Sequence, residues 1–71
     1  QIYVKTYKFE NEKRNYKIYQ IIYVKNENHK KIVLGKNGNV IKKIGMAARK
    51  EIEKLFKHKV SLFLDVQISK Q

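Results

Sequence analysis

Two glycines three residues apart, Gly35 and Gly38, interrupt an apolar and basic run, Ile32–Ile44 (IVLGKNGNVIKKI). Glycine tolerates positive φ and has no side chain to hold a ligand's backbone away. The segment after the turn places Ile41, Ile44, Ala48, Ile52 and Leu55 at i, i+3, i+7, i+11 and i+14, an apolar stripe that predicts a helix over about Asn39–Lys57. A turn before such a helix faces its free N-terminal amides, a geometry that grips phosphate. Lys36 adds charge inside the turn. The macrodipole favours acids in a helix's opening turn, yet this one carries Lys42 and Lys43 and no acid before Glu51.

The flanks supply the rest of the fold. Gln1–Glu10 alternates, with Ile2, Val4 and Thr6 on one face and Tyr3, Lys5, Tyr7 and Phe9 on the other, which predicts a strand. Asn11–Asn15 (NEKRN) reads as a loop, and Tyr16–Lys25 as a second strand with Ile18, Ile22 and Val24 opposite Tyr19, Ile21 and Tyr23. So short a loop implies an antiparallel hairpin. Asn28 is the expected N-cap of a short helix over His29–Leu34. Val60–Ile68 alternates most cleanly: Val60, Leu62, Leu64, Val66 and Ile68 share one face. The intervening helices form a crossover long enough to set the second and third strands parallel. The expected fold is α+β, in the order β-β-α-α-β, with a three-stranded mixed sheet and both helices on one face. Gly45 is expected to let the two helices approach closely, and Glu53 to pair with Lys57 one turn on.

Seventeen Lys and Arg against six acids give a formal charge of +11. That balance favours nucleic acid, or an anionic membrane surface, as partner. Lys, Asn and Ile are abundant together, so nucleotide bias accounts for part of the total, but not for where the cations cluster. With no Cys there is no disulfide framework or thiolate metal site. No apolar run approaches the roughly 18 residues of a membrane span, and no signal peptide opens the chain, so a soluble cytoplasmic domain is expected. The chain starts at Gln1 rather than Met, and we expect it to be a piece of a longer protein.

Catalysis has little support. His29 and His58 are far apart and read as surface residues, Glu51 and Glu53 point different ways on their helix, and no Gly-x-x-x-x-Gly-Lys-Ser/Thr loop is present. We expect no catalytic residue, metal or cofactor in these 71 residues. Tyr3, Tyr7, Tyr19 and Tyr23 project from the strand face away from the helices. That face is read as ordinary surface or as a contact for another domain, with no bases assigned to it.

A short apolar-basic helix, a Gly-x-x-Gly turn and an Ile-Lys-x-Ile helix start together resemble the KH nucleic-acid-binding module, in its type II strand order. Val33–Gly38, Ile41–Gly45 and Ala48–Lys50 are similar to the C-terminal domain of the bacterial Era-type GTPases. In KH domains the loop clamps the backbone of about four single-stranded nucleotides. The resemblance implies a groove gripped by Gly35, Lys36, Asn37 and Gly38, with Ile32, Val33 and Ile41 as its floor and Lys31, Asn39 and Lys42 beside it. Leu62 and Leu64, with Asn11–Asn15, would form the far wall. It further implies binding to the 3′ end of small-subunit ribosomal RNA, with the small ribosomal subunit as partner. A GTPase domain holding GTP and Mg, and a helix leading into the first strand, would lie in the parent protein outside this chain. The expected protomer is monomeric and cytoplasmic, with peripheral association at the inner membrane. The rival readings are a protein-docking module using the Tyr-rich face, and the KH domain of another ribosomal or transcription factor.

Overall fold

The computed structural model describes residues 2–70. Its elements are β1 (Tyr3–Glu12), β2 (Asn15–Val24), α1 (Glu27–Leu34), α2 (Asn39–Phe56) and β3 (Val60–Ile68), with a single 3-10 turn at Lys36–Gly38 joining the helices. The sheet order is β1-β2-β3, antiparallel between the first pair and parallel between the second. The expected β-β-α-α-β order and mixed sheet are therefore present. Both helices pack on the β2-β3 side, and among the described elements β1 pairs with β2 and is not packed by either helix.

The hairpin is longer than expected. Asn11 pairs with Tyr16 and Glu12 with Asn15, so most of the anticipated loop is strand and the turn is only Lys13–Arg14. The expected strand start at Gln1 lies outside the described residues. A bulge explains a second difference. Thr6 pairs with Gln20 and Lys8 with Tyr19, which leaves Tyr7 as an extra residue on β1. One inserted residue reverses the alternation beyond it. Phe9 therefore lies on the helix side opposite Ile18, rather than beside the tyrosines. There it meets Tyr16, ring centroids 5.5 Å apart.

The helix-side residues of β2 and β3 form the core. Ile18, Ile22, Val24, Val60 and Val66 are buried, and Val33, Leu34, Ile41 and Leu64 pack against Ile22, Val24 and Val66. Removing one such side chain costs about 2–5 kcal/mol for Ile→Ala. Val4 and Phe9, on the helix side of β1, stay more than half exposed because neither helix covers that strand.

The helix ends correct three expectations. Asn26, not Asn28, caps α1: its Oδ1 accepts from the His29 backbone N–H at 2.9 Å, which brings Glu27 into the first turn where the dipole favours an acid. Leu55 does not complete the α2 stripe but faces solvent, 78% exposed. Glu53 pairs with Arg49 at 3.2 Å rather than with Lys57, which caps α2 in the left-handed region at φ 52°.

Candidate nucleic-acid interface

The two turn glycines are needed for different reasons. Gly35 sits at φ 74°, ψ 174°, outside the region side chains adopt, and a Cβ there would lie 2.8 Å from the Val40 backbone N and collide with the Val40 side chain. No other residue fits without moving α2. Gly38 also has φ 74°, but its Cβ position is open, with Ile41 Cγ2 at 3.9 Å as nearest neighbour. Between them Asn37 takes the left-handed conformation (φ 55°), which Asn tolerates better than most residues. Gly38 N–H donates to the Gly35 carbonyl at 3.2 Å and Gly35 N–H to the Lys31 carbonyl at 2.8 Å, so the turn closes on itself.

The Asn39 N–H donates to the Lys36 carbonyl, and no side chain caps the amides that follow it. Gly38 is the N-cap of α2 and supplies no side-chain hydrogen bond, and no acid occupies the first turn. The leading amides of α2, with Lys42 beside them, present positive charge beside the turn. From there a groove of about 420 Å³ runs between α2 and β3, lined by Asn37, Gly38, Ile41, Lys42 and Gly45, then Met46 and Arg49, with Leu62 and Leu64 opposite. Its floor is apolar and its rim cationic. Such a site suits a polyanion that carries flat apolar groups.

Of the residues anticipated for this site, Asn37, Gly38, Ile41, Lys42, Leu62 and Leu64 come together along the groove. Gly35, Lys36 and Asn39 frame the turn itself. Ile32 and Val33 do not reach the floor. Val33 is packed on the core, and both residues line a smaller apolar depression of about 260 Å³ with Ile2 and His29, away from the groove. The groove lies between α2 and β3, whereas both residues belong to α1, where Val33 turns to the core and Ile32 stays 62% exposed. Lys31 is exposed on the last turn of α1. Asn11–Asn15 forms no far wall either, since the hairpin extension carries Asn11 to a different hollow beside Phe9, Tyr16 and Phe56.

Three groove residues escaped the sequence reading. Gly45 was expected to face α1, but its Cβ position would meet Leu64 Cδ1 at 3.5 Å, so it lets α2 lie close to β3 and shapes the floor. Met46 and Arg49 continue the same edge of α2. The helical spacing of Lys42, Gly45, Met46 and Arg49 was the available signal. Arg49 is held by Glu53, whose Oε1 accepts from Arg49 Nη1 at 3.2 Å while Oε2 accepts from the Val60 N–H at 2.9 Å. Chiefly that backbone hydrogen bond, and then Arg49, hold the Glu53 carboxyl below its ordinary value.

His29 and His58 are both partly buried rather than free surface residues. The His29 Nδ1 has no hydrogen-bond partner among the described residues, and His58 stacks on Tyr16. Among the described residues no group of three or more metal-ligating side chains forms. No helix among them is long and apolar enough to cross a membrane.

Comparison with known proteins agrees with this geometry. The family model described as KH domain matches residues 1–71. GTPase Era of Borreliella afzelii is 48% identical over 69 residues, covering 97% of this chain and 24% of that protein. GTPase Era of Clostridium tetani is 44% identical over 61 residues, covering 86% and 21%. The crystal structure of Aquifex aeolicus Era bound to GDP and aluminium fluoride superposes with a TM-score of 0.91 at 34% identity, over 96% of this chain and 24% of that one. A structure of Era in complex with MgGDPNP and nucleotides 1506-1542 of 16S ribosomal RNA gives the same values. The chain thus spans about a quarter of the length of these relatives. With the glycine turn, the strand order and the full-length match in agreement, this chain belongs to the KH domain family.

Proposed function

We propose that this chain binds single-stranded RNA without chemistry, and that its ligand is the 3′ end of small-subunit ribosomal RNA. The observation that carries this reading is the start of α2, free of any side-chain cap, beside a cationic glycine turn at the head of an apolar groove. Phosphates meet the α2 amides, Lys36 and Lys42, while bases lie on Ile41, Gly45, Leu62 and Leu64. Gly35 shapes the turn, Gly38 leaves room for the RNA backbone, and Asn37 and Asn39 offer side-chain amides. Lys31 contributes long-range attraction from α1. Val33 acts at one remove, by seating α1 on the core, and Ile32 stays exposed beside it. The choice of ribosomal RNA draws on the 34% identical Era that was crystallised with nucleotides of 16S ribosomal RNA.

On this reading the chain is the RNA-binding part of a longer cytoplasmic GTPase whose nucleotide and Mg sites lie elsewhere. The exposed helix side of β1, with Val4 and Phe9, suits a helix that leads into β1. The test is titration with an RNA matching that 3′ end and with a scrambled control, at two salt concentrations. Tighter binding of the matching RNA that survives higher salt is expected. Equal binding that dissociates with salt in both cases would reduce the interaction to net charge.

A further inference from the structure

The chain holds a single methionine and no cysteine, so its sulfur chemistry has one address, Met46. That residue lies in the groove: it lines the cavity of about 420 Å³ between Gly45 and Arg49, with Leu62 and Leu64 opposite, and is 49% exposed. A half-exposed thioether is open to a dissolved oxidant. Its neighbours give the sulfur a second significance. On α2, Lys42 stands four residues before Met46 and Arg49 three residues after it, so both cations that line the groove are adjacent to it on the helix surface. The unoxidised thioether is soft and polarisable, and it packs well against a flat ring. Oxidation turns it into a polar, chiral group whose oxygen accepts hydrogen bonds. The apolar floor then carries a dipole that a base must desolvate, and an acceptor stands between the two cations in competition with phosphate.

We propose that Met46 is an oxidation site that tunes RNA binding: a hydroperoxide converts it to methionine sulfoxide and the groove loses affinity, which reduction of the sulfoxide restores. The inference rests on the groove being the single-strand RNA site. The step balances with the peroxide as oxidant. A sulfur lone pair takes one peroxide oxygen, and the O–O bond breaks as the S–O bond forms. The other oxygen leaves with the proton as water, or as the alcohol when the hydroperoxide is organic. Sulfur loses two electrons and the peroxide gains them. Because no charge is created or removed, the effect acts through the groove and not through the chain's formal +11.

The test titrates the whole chain, before and after dilute hydrogen peroxide, with RNA matching the 3′ end of small-subunit ribosomal RNA and with a scrambled control. Mass spectrometry of a digest should place one added oxygen on Met46. The oxidised chain should bind the matching RNA about fivefold or more weakly, with circular dichroism and thermal midpoint unchanged. Methionine sulfoxide reductases for the two epimers should recover the loss. For Met46→Leu, whatever its own affinity, peroxide should change nothing. If the untreated chain does not prefer the matching RNA, the function proposed above falls and this inference with it. If it does show that preference, this inference alone is overturned by a Met46 that resists peroxide, by an oxidised chain of unchanged affinity, or by an equal loss in Met46→Leu. A loss accompanied by a lowered thermal midpoint also overturns it, since the added oxygen then acts on the fold rather than on the groove.

Discussion

The two sides of the sheet carry similar residue types in opposite arrangements. On the open side Lys8 pairs with Glu10 at 3.4 Å and Lys17 with Glu12 at 3.5 Å, and Asp65 adds a third acid. Its rings are spent on one another: Tyr3 stacks on Tyr23 at 4.9 Å and Tyr19 on Phe63 at 4.7 Å, with the Lys8 ammonium 5.2 Å from the Tyr19 ring centre. On the helix side Lys36, Lys42 and Lys43 have no carboxylate partner among the described residues, and the start of α2 has no side-chain cap. Half of the chain's six acids thus sit on a face that needs no counter-ion from a ligand. The formal +11 says little about where an anion binds. The placement of acids says more, and it disfavours the open face as a phosphate site.

Substitutions can break this contrast. The largest effect belongs to Gly38→Asp, which puts a carboxylate into the open space at the head of the groove with only modest backbone strain. RNA affinity should fall at least tenfold, about 1.4 kcal/mol, while circular dichroism stays unchanged. Gly35→Asp should lower affinity to a similar degree, but by displacing Val40 and with it the start of α2, so its thermal midpoint should drop as well. Next, Lys36→Ala and Lys42→Ala should each lower the salt slope of RNA binding by about 0.7, whereas Lys8→Ala and Lys17→Ala on the open face should leave it alone. A smaller effect follows from Phe63→Leu. It removes the stack on Tyr19 and should lower stability by about 0.5–1.5 kcal/mol, measured by chemical denaturation, with RNA affinity preserved.

The smallest effect is in pH dependence. The Glu10 carboxyl is held below its ordinary value of 4.5, first by the Tyr19 hydroxyl that donates to it at 3.1 Å and then by Lys8. A depressed carboxyl stabilises the fold fully above its unfolded value and loses that contribution as pH falls through its folded one. Glu10→Gln should therefore flatten the acid limb of the stability curve below about pH 4.5 without changing RNA binding. Glu53→Gln should flatten the same limb and also weaken RNA binding, because Glu53 positions Arg49 on the groove.

Most of this architecture was legible because its signals are periodic. The alternation through Val60–Ile68 and Tyr16–Val24 fixed two strands and the face each buries, and the glycine pair marked the turn between helices. The misses occurred where a single residue changed the phase or the reach of an element. The Tyr7 bulge, which no alternation pattern reveals, moved Phe9 across the sheet. Lys13–Arg14 lacks the Asn-Gly chemistry of a tight hairpin, so five residues read as loop where two suffice. Within the groove, Gly38, Ile41, Lys42, Leu62 and Leu64 followed from motif and alternation. Gly45, Met46 and Arg49 did not, because which edge of α2 meets β3 depends on the crossing of the two elements. Ile32 and Val33 were misplaced for the same reason: neither their hydrophobicity nor their nearness to the turn fixes which side of α1 faces the groove.

The most direct test of the central claim is an amide chemical-shift map of the chain titrated with single-stranded RNA matching the 3′ end of small-subunit ribosomal RNA. The account predicts the largest shifts at Gly35–Gly38, Ile41, Lys42, Gly45, Leu62 and Leu64, with Tyr3, Tyr23 and Phe63 unmoved. Shifts concentrated on Tyr3, Tyr19, Tyr23 and Phe63, with the glycine turn silent, would contradict it and make the open face the binding surface.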